Sequence, residues 1–414
     1  MKLATPARRG GALALALFAL IAAPPAGAAV YPPDGPLQAA PPTPRSPLPP
    51  YLKAEPDRAL GTVVERISDR RAFHQPGARW IRHAYAKNQP WNADGSLLML
   101  DYTYPAPLLD GDSYRRLGSV HQPSQALWSP TDPDLLIGTR RNQLVAWNAR
   151  SDKPEAVLGR FPAYAHISLG AGEGNLSNDG RWAALLGVRR GGGVDVLVYD
   201  ISEREVTGRR SYERLDLSDG RRGINNATMS QSGRYAIVEF NRRGRGKRRG
   251  IVAFNRSMGD AQPLSANGGS HYDACVETDG DESIVVRADH SSALMSSRLA
   301  DAEATQLLPA RLLSYSIHIS CRNTARPGWT YVSEFYDPTS TGYANTNLVI
   351  AVRLDGSRTV ERFAREHRSK REDYAREPHA VPSRDGARVL FASDWMDPHG
   401  PVLAYVGEAA AAGR

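Results

Sequence analysis

Cysteine is nearly absent from this 414-residue chain, which holds only Cys275 and Cys321. That scarcity excludes a disulfide-dense scaffold and any all-thiolate zinc cluster. Apolar runs long enough to cross a membrane are missing too, since the longest, Gly11 to Ala23, is too short to span. Aromatic residues make up 8% of the chain and form no stacking platform among the basic residues, so nucleic acid is set aside as a partner. No Gly-x-Ser-x-Gly elbow occurs, which removes hydrolase-type serine chemistry. Near the segments singled out below the only acids are Asp273 and Glu377, a poor basis for paired-carboxylate glycoside hydrolysis.

What is present begins with a leader. Lys2, Arg8 and Arg9 precede the apolar run, and Ala26-Gly27-Ala28 supplies small residues for cleavage, so residues 1–28 read as a signal peptide. The chain is then periplasmic or secreted, with no membrane anchor, and is read as a monomer. Removing the leader's three cations takes the formal charge from +8 to about +5. Residues 29–58 form a proline-rich tether, dense in proline from Pro32 to Pro50, where a regular backbone ladder cannot form.

Residues 59–410 repeat. Short turns recur roughly every 40–60 residues: Asn92-Ala-Asp-Gly95, Ser129 to Asp134, Ser177 to Gly180, Ser230 to Gly233, Thr278-Asp-Gly280, Ala325 to Gly328 and Ser383 to Gly386. Each is followed by an apolar strand such as Arg388 to Ala392. Short strands and Asp-Gly turns at this period are the mark of a propeller blade, and seven turns give an all-β, seven-bladed β-propeller in one domain. The segment Gly61 to Arg66 is expected to pair with the last blade, near Pro401 to Val406, and close the ring.

A propeller gathers one position from every blade around its axis. His121, His166, Asn225, His271, His318 and His379 all stand where an inner strand begins, with His83 in a looser equivalent place. One such histidine is commonplace in propellers, where it caps a strand. Six polar groups converging on one funnel favour a binding or catalytic centre. The loops between second and third strands add Arg140-Arg141, Arg189-Arg190 and the run Arg242 to Arg249, a basic rim suited to a polyanion.

The late blades hold the most specific set: Ser270-His271 to Cys275, Ile317-His318 to Cys321-Arg322, and Glu377-Pro378-His379. Two readings stay open. In one, His271 and His379 with one or both of His318 and Cys321 bind a divalent metal, and a thiolate among the imidazoles would favour Zn²⁺. That reading needs a backbone bulge, because strand residues three apart face opposite ways. In the other, Cys275 and Cys321 form a disulfide from neighbouring inner strands and the histidines are hydrogen-bonding caps.

The run Glu377 to Trp395, with Pro327-Gly-Trp329 to Ser333, His367-Arg368 and Tyr374, resembles the last blades of propeller polysaccharide lyases, the oligogalacturonate and ulvan lyases. The likeness covers about residues 265–396. It implies a divalent metal, Zn²⁺ or Mn²⁺, with His271, His318, Cys321 and His379 at the matching positions. The implied substrate is an acidic polysaccharide or oligosaccharide, cleaved by β-elimination at a uronic acid. That reaction needs a base for the C5 proton, an acid for the departing O4, and positive charge on the carboxylate. By position alone, His166 is the expected base, His121 or Tyr164 the acid, and Arg221, Arg222 and Arg322 the carboxylate clamp. Asn225, Arg368 and Tyr374 are expected as further substrate contacts. The alternative is a non-catalytic, TolB-like periplasmic propeller that docks a protein or polyanionic ligand in the same funnel.

Overall fold

Most of the repeats' turns combine a short polar side chain with a glycine. In the last blade, Asp385 Oδ1 accepts the amide of Ala387 at 3.1 Å, and Gly386 adopts φ +69°. Glycine is required there twice over: the backbone is left-handed, and a Cβ would collide with the Tyr331 hydroxyl. Strands on either side of such turns pair antiparallel and in sequence.

The computed structural model describes residues 30–31, 46–212, 223–241, 249–266, 271–288, 293–313, 317–334, 347–369 and 373–409. The expected leader, residues 1–28, lies outside them. The described strands form seven separate sheets, the seven blades of a β-propeller. Blade two is built from Ser124–Trp128, Leu135–Arg140, Gln143–Asn148 and Lys153–Arg160. Blade three uses Tyr164–Leu169, Trp182–Arg189, Val194–Asp200 and Glu205–Tyr212, and blade four runs from Ile224–Met229 to Gln262–Ser265. Blade five spans Tyr272–Val276 to Ala304–Leu308, and blade six Ile317–Ser320 to Val360–Arg365. Blade one has three strands, Leu97–Met99, Ala106–Asp110 and Arg116–Val120, with Trp91 bridging Leu98 in place of a longer inner strand.

The core lies between blades rather than on the axis. Val285, Leu294 and Leu307 of blade five pack on Ile317, Val332 and Ile350 of blade six, and Trp182, Leu186 and Val196 of blade three pack on Met229 and Val238 of blade four. Sheets covered on both faces explain strands such as Val194–Asp200, buried along their whole length. Burying apolar area at about 25 cal/mol per Å² across every interface is what holds the ring, so its edges must be joined.

They are joined as expected. Thr62–Arg66 pairs antiparallel with Val402–Ala409, placing the N-terminal strand in the blade of the C-terminus. The same blade reaches further into the expected tether: Ala54–Asp57 is its outermost strand, paired on Thr62–Arg66. The tether assignment is corrected there. Pro56 is tolerated because this is an edge, where one face of the ladder needs no partner. Val30–Tyr31 likewise adds a fifth strand to blade six. Among the described residues no helix is long and apolar enough to cross a membrane.

Candidate metal and catalytic site

Three imidazoles from consecutive blades meet where the inner strands begin. The His271 and His318 rings lie 4.4 Å apart between centroids, and His318 and His379 lie 3.9 Å apart. His318 is the second residue of a regular inner strand and pairs with Ser333. His379 stands two residues before the short inner strand Val381–Pro382 and adopts φ +45°. Left-handed backbone costs a non-glycine residue roughly 1 kcal/mol, so the surrounding packing holds this imidazole in place against its own preference.

The third metal-capable side chain is a carboxylate. Asp373 caps the single turn Tyr374–Arg376 by accepting the Ala375 amide, and this turn delivers Tyr374 and Glu377 to the axis. His318 Nε2 lies 2.8 Å from Glu377 Oε2, and His379 Nε2 lies 3.7 Å from the same oxygen. One ligand atom from each of His318, Glu377 and His379 falls within 4.8 Å of the others. Two imidazole nitrogens and one carboxylate oxygen suit a first-row divalent cation, whose ligands stand about 2–2.2 Å from the ion.

The electrostatics agree. Burial, then the neighbouring imidazoles, holds His318 well below its usual range, and burial with the Arg82 charge does the same to His379. Both rings are therefore neutral near pH 7, the form that coordinates metal. Glu377 is pushed up to about 8 by burial, against the favourable charges of Arg368 and Arg82. Among the described residues no cation is in direct contact with this half-buried carboxyl beside neutral imidazoles, which leaves the position suited to one. Nδ1 of His379 is also buried and has no hydrogen-bond partner.

Around these groups stands a polar wall. Tyr85 Oη is 2.9 Å from His271 Nδ1, and burial holds His271 down to about 4. The half-exposed Tyr374 ring lies 4.9 Å from His379 and keeps its proton, its pKa raised by burial first and by Glu173 next. Glu173 reaches this region because the inner strand of blade three breaks at Gly170–Gly172. Gly170 adopts φ +52°, and a Cβ there would strike the Ala227 carbonyl. Glu173 Oε2 accepts Lys87 Nζ at 3.1 Å and Asn226 Nδ2 at 3.2 Å, and Lys87 lies 3.7 Å over the Tyr272 ring.

Of the residues expected from sequence, His271, His318, His379 and Tyr374 are brought together, and Arg368 is close enough for its charge to act on Glu377 and His318. Others go elsewhere. Cys321 is disulfide-bonded to Cys275 and offers no thiolate. No bulge interrupts Ile317–Ser320, so His318 turns to the axis while Cys321, three residues on, turns into the interface with blade five. With the thiolate goes the argument for zinc over manganese. His121 is exposed and pairs with Asp152 at 2.6 Å. His166 is exposed on its strand, away from the other imidazoles of the described residues. Tyr164 is buried, donates to Asp195 at 2.8 Å, and is pushed up to about 12 by burial and that bond, so it is no proton donor to the centre. The Arg322 guanidinium is held at 3.0 Å by both oxygens of Asp273 and is not free to clamp a substrate. Asn225 donates to Glu239 at 2.6 Å, beside Asn226. Arg221, Arg222 and residues 242–248 of the basic rim lie outside the described residues.

Sequence reasoning passed over Glu377 as a ligand, and also Tyr85, Lys87 and Glu173. For Glu377 a signal existed: a carboxylate two residues before the last inner-strand histidine. Glu173 had none, because its position depends on a strand break.

No protein-family model matches this sequence, and no curated protein matches it either. Solved structures do match in fold. An oligogalacturonate lyase in complex with manganese has a TM-score of 0.60 at 16% identity, over 86% of this chain and 96% of that one. The β-propeller domain of Cps50 (Swd1) from Myceliophteria thermophila has a TM-score of 0.45 at 12% identity, over 78% of this chain and 96% of that one. TolB from Acinetobacter baumannii has a TM-score of 0.36 at 16% identity, over 66% and 61%.

Proposed function

We propose that this chain is an exported lyase that cleaves a uronate-containing glycan by β-elimination, with a divalent metal held by His318, Glu377 and His379. The observation that carries the reading is the convergence of these three side chains beside a fourth, partly accessible group, His271. When bound, a Zn²⁺ or Mn²⁺ ion would neutralise the uronate carboxylate and so make the C5 proton more acidic. The chain's own residues supply the rest. His271 is neutral near pH 7 because burial disfavours its charged form, so one ring nitrogen carries a lone pair. If Nδ1–H donates to the Tyr85 hydroxyl, that lone pair sits on Nε2 and can take the C5 proton. Tyr374, half-exposed and protonated, is placed to give a proton to the leaving O4. The cations of Arg82 and Arg368 bias the pocket toward an anionic sugar. His271 and Tyr374 thus replace His166, His121 and Tyr164 in the acid–base roles.

The fold shared with a manganese-bound oligogalacturonate lyase supports this reading at the level of architecture. The leader at 1–28 supports export, and no helix among the described residues would anchor the chain in a membrane. The test is to mix the mature protein with a panel of uronate polymers and follow the ultraviolet absorbance of an unsaturated uronate. Product should form, stop on chelation and return with zinc or manganese. A metal-loaded protein that binds polyanion or protein and forms no product would be a docking propeller instead.

A further inference from the structure

Where the inner strands end, at the opposite end of the axis from the imidazoles, a second polar centre is buried. Here lies a cavity of about 30 Å³ whose lining includes Gln89, Asn175, Asn178, Arg322 and Arg384. They come from blades one, three, six and seven, so the cavity sits on the axis itself.

The charges around it do not balance. Arg322 is matched, since Nε and Nη2 each lie 3.0 Å from an Asp273 oxygen and Nη2 also donates to the Ala274 carbonyl at 3.1 Å. Arg384 is not. Its Nε donates to the Asn92 carbonyl at 3.0 Å, and no carboxylate among the described residues pairs with it. Burial, and then the like charge of Arg322, pulls its proton affinity down to about 10. No acid offsets that pull.

The hydrogen-bond inventory shows the same bias. Gln89 spends its amide donors on the carbonyls of Arg322 and Pro382, both at 3.0 Å, and Asn178 gives Nδ2 to Gln231 at 3.1 Å. Asn175 Nδ2 is buried with no partner. What remains at the cavity is one guanidinium without a paired carboxylate among the described residues and one amide donor without a partner. Water could take the amide bond but would leave a half-buried cation without a counter-charge, which is costly in proportion to its desolvation. The volume exceeds the ~10–15 Å³ that one water needs and has no room for a polyatomic ligand of any length.

We infer that this cavity is a binding site for one small monovalent anion of chloride size, held by Arg384 and Asn175. The anion cancels the one unmatched cation and satisfies the one orphaned donor. It thereby ties blade three to blade seven, the blade that closes the ring, at the bottom of the axis.

The test uses the full mature chain and sodium chloride as the probe, with sodium gluconate at equal ionic strength as the reference. Melting temperature should rise in chloride along a saturable curve, because an anion that binds only the folded state stabilises it by mass action. Asn175→Asp places a fixed carboxylate at the cavity and should melt at or above the wild type in gluconate, with no further rise in chloride. Arg384→Gln should also lose the chloride response. Crystals grown in bromide should show an anomalous peak between Arg384 and Asn175. Equal melting of the wild type in both salts, or a chloride rise that persists in either variant, overturns the inference.

Discussion

Blades two to four and blades five to seven carry the same kind of residue in the same place, where an inner strand begins, and use it differently. In the late blades His271, His318 and His379 converge on one point of the axis. In the early blades His121 is drawn to Asp152, His166 faces solvent, and Asn225 is bound to Glu239. The difference is in the backbone. Blades three and four have a register shift at the slot, between Tyr164 and His166 and between Ile224 and Asn226. The inner strands of blades five and six pair without one. An extra residue in the ladder rotates the next side chain away from the axis, so the same sequence slot leads to different surroundings. The early side contributes carboxylates and amides instead, through Glu173, Glu239 and Asn226.

The largest effect that would sharpen this contrast lies in metal binding. His379→Ala and Glu377→Ala should each lower affinity for Zn²⁺ or Mn²⁺ by at least about 100-fold and abolish elimination, because each removes one of the three proposed ligands. His121→Ala and His166→Ala should leave metal content and turnover unchanged. Elemental analysis with the absorbance assay reads both, and an equal loss in His166→Ala would break the contrast.

Next comes the disulfide of the late blades. Cys275 and Cys321 are 46 residues apart in sequence. Replacing both with serine should cost about 4 kcal/mol of stability on the loop-entropy estimate, while metal stoichiometry is unchanged. Denaturant melts measure the first and elemental analysis the second. A loss of metal in the double variant would restore Cys321 as a ligand.

The third is a pH dependence. Burial holds His83, His271 and His367 down to about 3, 4 and 4, against an ordinary value near 6.5. Their folded pKa lies below the unfolded one, so the unfolded chain binds more protons below pH 6.5. Stability from these groups is complete above about 6.5 and is lost as pH falls toward 4, by up to roughly 1.4 kcal/mol per pH unit for each group. Denaturant midpoints taken from pH 7 to pH 5 should fall, and His367→Asn should make the slope shallower. A flat profile would mean that these imidazoles are not buried neutral.

The smallest effect belongs to the early blades. The His121–Asp152 pair is at the surface, so His121→Ala should change stability by less than about 1 kcal/mol by thermal melt. A larger loss would give the early-blade slot a structural role equal to the late one.

The blade count and the closure of the ring were legible because they rest on local chemistry. Asp-Gly turns such as Asp385-Gly386 need a left-handed residue that few others supply, and strands such as Val194–Asp200 are apolar because both faces are covered. The late histidines were legible too, each standing shortly before the turn of its own repeat, as His271 before Thr278-Asp-Gly280 and His379 before Ser383 to Gly386. The proposed acid–base residues were not. Nothing in the sequence marks a register shift at His166 or the pairing of Tyr164 with Asp195, 31 residues away.

By itself, then, the sequence determined a ring of seven blades and which residues stand where inner strands begin, because turn geometry and two-residue strand periodicity act over a few neighbours. Tertiary structure alone decided which of those residues meet. Glu377 joined the imidazoles through a capped turn, Glu173 arrived through a break in a strand, and Cys321 was taken by Cys275 across a blade interface. Each of these outcomes depends on how one blade is rotated and packed against the next, and buried contacts between distant segments fix that rotation.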